Sequence, residues 1–233
     1  MASYYGAMIE LLAFSALTIA AYALSLWARR RWPGPLTTPV IFSTTLIVLA
    51  LTAFGVDFQR YAPTRDLFGV LLGPATMALA LPLYRNRRLI LAHARPLLLG
   101  IVAGTLVTML CALVLARVFA LGAALAGALA IKSVTVAIAI GIAPVIGADP
   151  ALVAAFVIAT GICGTVLGPV VLDRLGVRSP LARGLALGTI SHGQGTAQAA
   201  LENETSGAVA GVAMGISAIL TALLAPWLTS LYR

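Results

Sequence analysis

Lys132 stands in Ala130-Ile131-Lys132-Ser133-Val134-Thr135-Val136-Ala137-Ile138-Ala139, with long, mostly apolar sequence on either side, and it is the only lysine among 15 basic residues. A charge facing lipid costs ~2.5 kcal/mol or more, so such a residue usually faces a cavity and works there. The plainer reading is a lysine whose stem lies along apolar surface while its head reaches an interface. Ser133 and Thr135 add hydroxyl donors beside it. A second polar stretch is Ser191-His192-Gly193-Gln194-Gly195-Thr196-Ala197-Gln198, which cannot face lipid comfortably and must look inward or into water. A third is Gly73-Pro74-Ala75-Thr76, where a Gly-Pro pair interrupts an apolar run and frees backbone groups.

Together these residues suit a small carboxylate. Such an anion needs hydrogen-bond donors and positive potential away from lipid, and a broken helix offers free N–H groups with a dipole end of about half a charge. Lys132 supplies a full charge and Ser133 and Thr135 supply donors, with Thr76, beside Pro74, facing them from the opposite side. Ser191, Gln194, Gly195 and Thr196 either contact the substrate or bond across helices. His192 is the candidate for proton coupling, because an ordinary imidazole titrates at about 6.5. The other reading is a neutral histidine joining two helices. An intramembrane hydrolase built on Ser191 or Ser133 with His192 as base is disfavoured: helix neighbours point about 100° apart, and no acidic residue lies beside His192 to orient it. No enzyme is expected, and no cofactor or metal; a sodium site would lack a membrane carboxylate to mark it.

The elements that must hold these groups are membrane helices. Hydrophobic residues make up 61% of the chain and charged residues 9%, and the mean hydropathy is +1.04. That composition gives an all-α polytopic membrane protein, read as a single transmembrane domain over residues 1–233. The net charge of +8 would suggest nucleic acid in a soluble chain. Here most arginines flank apolar runs, which is the positive-inside pattern, and no nucleic-acid role follows. Cys111 and Cys163 fall in separate apolar runs and read as small buried hydrophobes. The first residues lack a basic n-region, so the first apolar run is expected to remain as a span.

Spans are expected at about 7–27, 37–54, 67–84, 97–116, 151–172, 181–200 and 207–231. Arg29, Arg30 and Arg31 close the first span, which puts the N-terminus outside. Residues 118–146 decide the rest. A single crossing there divides the basic residues seven to seven. A segment that enters and leaves on one face divides them eleven inside to three outside, with Lys132 in the membrane. The second arrangement obeys the charge rule. It predicts about seven spans plus a re-entrant or broken-helix hairpin with Lys132-Ser133 near its tip. It also predicts a Glu202-Asn203-Glu204 loop outside and a cytoplasmic C-terminus.

A faint repeat agrees. Thr76-Met77-Ala78-Leu79-Ala80-Leu81 matches the pattern of Thr135-Val136-Ala137-Ile138-Ala139-Ile140, and each precedes a glycine-bearing span, at 100–105 and 161–165. With a re-entrant segment between them those spans run oppositely. This predicts an inverted structural repeat with discontinuous helices, the arrangement in which secondary transporters bind substrate near the midplane. The glycines of Gly161-x-x-Gly164-x-x-x-Gly168 are expected to let another helix approach closely.

From about Tyr61 onward the chain resembles the LrgB/CidB family. The likeness rests on Leu72-Gly73-Pro74-Ala75-Thr76, Pro82-Leu83-Tyr84, Lys132-Ser133-Val134-Thr135, Gly161 and Gly164, Ala182-Arg183-Gly184-Leu185-Ala186-Leu187-Gly188, Ser191-His192 and Gly195-Thr196-Ala197, in the family's motif order. It departs at Val136-Ala137, where the family usually has Pro-Ile, and at Gly193-Gln194, where it often has Ala-Ile. Gln194 thus adds a polar group to the expected site. The resemblance implies a carrier of small 2-hydroxy or 2-oxo monocarboxylates, of the glycolate, glycerate, pyruvate or lactate class. The alternative it implies is a holin-like pore or regulator of murein hydrolases and lysis. It further implies a bacterial inner-membrane location in the lipid bilayer and a small LrgA/CidA-type membrane partner; a homodimer is the other expected assembly.

Overall fold

The computed structural model describes residues 2–32, 34, 37–78 and 80–232, without the side chains of residues 2–5, 72, 73, 75, 76 and 80. All regular structure among them is α-helical. The chain divides into two compact units, Met1–Ala78 and Leu79–Arg233.

In the first unit α1 (Ala2–Arg31) packs against α2 (Pro39–Ala53) and α3 (Phe58–Ala78). Thr18 and Tyr61 share a hydrogen bond of 2.9 Å. Glu10 forms an ion pair with Arg60, so a carboxylate near the start of a long apolar helix is matched by an arginine from α3. The break expected at Gly73-Pro74 is not there. α3 continues through Pro63 and Pro74 to Ala78. A proline forfeits only its own backbone bond and crowds one carbonyl, and the helix absorbs both. Leu79 lies outside the described residues.

The second unit starts with the short helices α4 (Ala80–Arg85) and α5 (Arg87–Ala92), followed by α6 (Ala94–Val118). Next come α7 (Ala123–Ala130) and α8 (Val136–Ile146), then α9 (Pro150–Arg174), α10 (Pro180–Glu202) and α11 (Glu204–Ser230). Among the described residues four helices are long and apolar enough to cross a membrane: Gly6–Arg31, Ala94–Val118, Pro150–Arg174 and Glu204–Ser230. About seven were expected. The stretch at 37–54 yields a helix of 15 residues, and the stretch at 67–84 is divided between α3 and α4. The stretch at 181–200 is not a crossing at all.

The first reversal is the one expected around Lys132-Ser133. A Cβ on Gly127 of α7 would lie 3.3 Å from Cδ1 of Ile146, the last residue of α8. In a chain that kept its direction those residues would be more than about 20 Å apart. α7 and α8 therefore form a hairpin, turning through Ile131–Thr135. Its limbs close on an apolar core that includes Ala126, Ala130, Val134, Ala139 and Ile146, together with Val153 and Val157 of α9.

The second reversal is inside α10, where Ser191 (φ −116°, ψ 15°) and His192 (φ 43°, ψ −132°) leave helical geometry. The Arg183 guanidinium donates from Nε to Glu202 Oε2 at 2.7 Å. A straight helix would hold those residues about 28 Å apart. Residues 180–190 and 193–202 are thus two limbs of a second hairpin. A Cβ on Gly195 would sit 2.1 Å from the Leu187 carbonyl oxygen across it, and only glycine fits. The first limb runs parallel to α11, with Gly184 against the Ser206 carbonyl and Gly188 against that of Ala210. The second limb runs back along the same helix, with Ala200 against Gly207.

This overturns the expected placement of the Glu202-Asn203-Glu204 loop across the membrane from Arg183, since the two ends of α10 meet. The reason is local. An amphipathic run of this length, rich in glycine and hydroxyl side chains, can satisfy its backbone as two half-helices when neighbouring helices enclose the break. The hairpins enter from opposite ends of the unit. The first has its base beside the end of α6 and of α11, where Tyr232 donates to the Leu121 carbonyl at 2.8 Å. The second has its base beside the start of α11 and the end of α9, where Arg183 also reaches Asp173 at 2.6 Å. The cysteines correct another expectation: Cys111 and Cys163 are both exposed on their helices.

Candidate functional site

Each half-helix limb is about 15 Å long, half the ~30 Å of a hydrocarbon core. In both hairpins the second limb begins at the tip, so its N-terminal end, with free N–H groups and positive dipole, points into the interior of the unit.

At the first tip Lys132 is half-buried and has neither hydrogen-bond nor carboxylate partner for its ammonium among the described residues. Ser133 is buried and its Oγ has no partner. Thr135 is the N-cap of α8 with extended backbone (φ −66°, ψ 147°), yet its side chain makes no capping bond. The first N–H groups of α8 are therefore left open, and turn bonds as long as 3.4 Å hold the residues before them. Buried polar groups are nearly always paired, and here an ammonium, a hydroxyl and an uncapped helix start are left open together.

At the second tip Ser191 is 1% and His192 5% exposed. His192 Nε2 lies 3.0 Å from the Val157 carbonyl oxygen of α9. A carbonyl only accepts, so Nε2 carries the hydrogen and Nδ1 is left to accept or to take a second proton. Thr196 Oγ1 donates to the His192 carbonyl at 2.9 Å, which fixes the start of the second limb. The Ser191 hydroxyl and Gln194 Oε1 are buried without partners. His192 has positive φ, a conformation costing about 1–3 kcal/mol in a residue with a Cβ. Ser191 and His192 make no hydrogen bond to each other.

α9 is the shared wall, packing against both hairpins. Its glycines meet the second hairpin in antiparallel order: Gly168 against Leu187, Gly164 against Ser191, and Gly161 against His192 and Gln194. A Cβ on Gly164 would fall 1.6 Å from Ser191 Oγ, so the expected glycine ridge is present and its partner is the polar tip itself.

The structure thus gathers Ser191, His192, Gln194, Gly195 and Thr196 in one hairpin and Lys132, Ser133 and Thr135 in the other. Pro74 lies exposed on α3 in the first unit, and the Thr76 side chain falls outside the described residues. Sequence reasoning missed the Val157 carbonyl, a backbone acceptor with no sequence signature. It also missed the unpartnered hydroxyls of Thr105 and Thr189 and the reach of Arg183 to Glu202. The last was legible as an opposite-charge pair bracketing a glycine-rich run. Among the described residues no group of acidic, histidine or cysteine side chains could hold a metal ion.

The sequence is similar to known proteins along nearly its whole length. It is 36% identical over 217 residues to Uncharacterized protein YxaC of Bacillus subtilis, covering 93% of this chain and 94% of that one. It is 27% identical over 216 residues to Holin-like protein CidB of Staphylococcus epidermidis, covering 93% and 94%. It is 26% identical over 232 residues to Holin-like protein CidB of Staphylococcus aureus, with both chains covered completely. No solved structure matches it. The LrgB-like family profile matches residues 18–231. Long apolar helices joined by polar-tipped hairpins and a family match over residues 18–231 carry one conclusion: the chain is a multi-pass membrane protein belonging to the LrgB-like family.

Proposed function

We propose that this chain is a secondary carrier of small monocarboxylates, of the glycolate, glycerate, pyruvate or lactate class, that binds the anion between its two hairpin tips. The observation that carries the reading is the ammonium of Lys132, half-buried without a counter-ion among the described residues, beside the open Ser133 hydroxyl and the uncapped start of α8. The carboxylate would take the ammonium and the helix N–H groups. Ser191, Gln194, Gly195 and Thr196 would meet the 2-hydroxy or 2-oxo end. His192, anchored through Nε2, would carry the coupled proton on Nδ1.

The arrangement of elements supports a carrier. α6 with the first hairpin and α9 with the second form consecutive units, each led by a helix of 25 residues. Their hairpins enter from opposite ends, and a serine stands at each tip. We read this as the inverted repeat of an alternating-access transporter. Because the second hairpin returns to the face it left, Arg85, Arg87, Arg88, Arg95, Arg174, Arg178 and Arg183 share one face, and Arg117 lies at the other. The charge rule puts the richer face in the cytoplasm of a bacterial inner membrane. α11 then leaves on the outside, so the C-terminus is proposed outside rather than in the cytoplasm; the N-terminus is also proposed outside. A small LrgA/CidA-type membrane protein is the proposed partner, with a homodimer as the other assembly.

A second reading has its own support. The staphylococcal relatives are named holin-like, and on names alone a holin-like pore or a regulator of murein hydrolases is the better choice. Two closed hairpins with unpaired polar tips, rather than one continuous polar face, favour the carrier. Purified protein in liposomes separates the two. Uptake of labelled glycolate and pyruvate should saturate and respond to an inward proton gradient. His192→Ala should retain exchange while losing that response. Non-saturating leak of unrelated solutes would support the pore and sink the carrier.

A further inference from the structure

Apolar side chains pack in both hairpins, Leu187 and Ala199 of the second among them, but only the second is also tied by charge. The first is held by alanine, valine and isoleucine side chains, and Lys132 is the only charged residue from Ala123 to Ala148. The second is tied at its base by Arg183, whose side chain is 14% exposed and whose partner Glu202 is 17% exposed. Arg183 Nε donates to Glu202 Oε2 at 2.7 Å. Its Nη1 donates to Asp173 Oδ1 at 2.6 Å and to the Val177 carbonyl at 3.0 Å. Gln198 Nε2 donates to the other Glu202 oxygen at 3.2 Å. One guanidinium thus joins the first limb, the second limb, the end of α9 and the loop between α9 and α10.

At the far end of the same hairpin the backbone is strained at His192, and Ser191 and Gln194 hold unpaired polar atoms. Apolar packing is non-directional and yields gradually. A charge-assisted pair at a hairpin base is either made or broken, and the strained tip gains when the limbs separate. We propose that Arg183 is a positioning residue: it latches the second hairpin shut through Glu202, so that this hairpin and not the first is the gate of the carrier. The inference rests on the carrier reading for what the gate admits, though not for the existence of the latch. When the Arg183–Glu202 bond breaks, the limb at 193–202 leaves the limb at 180–190, and the tip residues open toward the face that carries Asp173 and Arg174.

The test is hydrogen–deuterium exchange of the full chain in lipid nanodiscs, comparing wild type with Glu202→Gln, Arg183→Gln and Arg183→Lys. Peptides within 186–200 should exchange about tenfold faster in the two glutamine variants, as for loss of one charge-assisted bond. α9 and the first hairpin should stay at wild-type rates, and Arg183→Lys, which keeps the charge without the fork, should fall between. In liposomes Glu202→Gln should raise KM for the monocarboxylate with Vmax held or increased. Wild-type exchange at 186–200 in Glu202→Gln overturns the latch, and so does faster exchange spread over the whole unit. Glu202→Gln is nearly isosteric and decides the matter if Arg183→Gln does not fold. If the wild type moves no monocarboxylate, the carrier reading fails while the exchange data still judge the latch.

Discussion

Lys132→Met should abolish high-affinity uptake while leaving the protein at least as stable as before. Truncating one partner of a buried, hydrogen-bonded charge pair costs 2–5 kcal/mol or more, and ~3 kcal/mol is a loss of about a hundredfold in affinity for the anion. Among the described residues the ammonium is half-buried and unpartnered, so removing it relieves a desolvation penalty. The melting temperature should therefore hold or rise. Lys132→Arg should fall between in affinity, because its larger planar fork keeps the charge and changes the shape. Titration of labelled glycolate in liposomes, with melting curves on the same preparations, reads both quantities. Unchanged affinity in Lys132→Met would remove Lys132 from the site and return it to the role of a snorkelling side chain.

Gly195→Ala and Gly188→Ala should be the most damaging single-methyl additions in the second hairpin. The new Cβ at 195 would stand 2.1 Å from the Leu187 carbonyl oxygen, and that at 188 would stand 2.3 Å from the Ala210 carbonyl oxygen. Both obstacles are backbone, which cannot rotate away. Overpacking typically costs 1–3 kcal/mol and here should reach about 3 or more, enough to lose monodisperse protein. Gly211→Ala and Gly141→Ala are the controls. Each lies in a helix with nothing within 4 Å of the new methyl, and the better helix propensity of alanine should leave stability unchanged or raise it by up to ~1 kcal/mol. Equal melting temperatures across all four would mean that the limbs of the hairpin are not packed as described.

The membrane class, the long helices and the first hairpin were legible because composition, apolar run length and arginine placement are one-dimensional quantities. The balance of basic residues on either side of 118–146 points to the Lys132 turn that the structure contains. The same accounting failed at 181–200. A hairpin of two half-helices has nearly the length of one crossing, and glycine and serine permit a break without compelling one. What compels it is tertiary: the Val157 carbonyl takes the His192 N–H, and Gly161 and Gly164 leave room for the displaced side chains. The opposite error was made at Gly73-Pro74, where the residues permit a break that the helix does not take. The polar residues of the site were recognised by type in an apolar chain. Their division between two hairpins was not, because it depends on which way each limb runs.

The lone ammonium at the first tip also has an electrical consequence. The described residues give Lys132 no fixed counter-charge, so the empty site carries one positive charge and a site loaded with a monocarboxylate alone, with His192 neutral, carries none. Moving a unit charge across the whole membrane potential is worth about 2.3 kcal/mol per 100 mV, and a neutral loaded site escapes that work. Exchange of one anion for another would then be indifferent to voltage. Net uptake without a proton on His192, which requires the charged empty site to return, would depend on voltage, whereas the coupled proton would restore one charge to the loaded site and cancel that dependence.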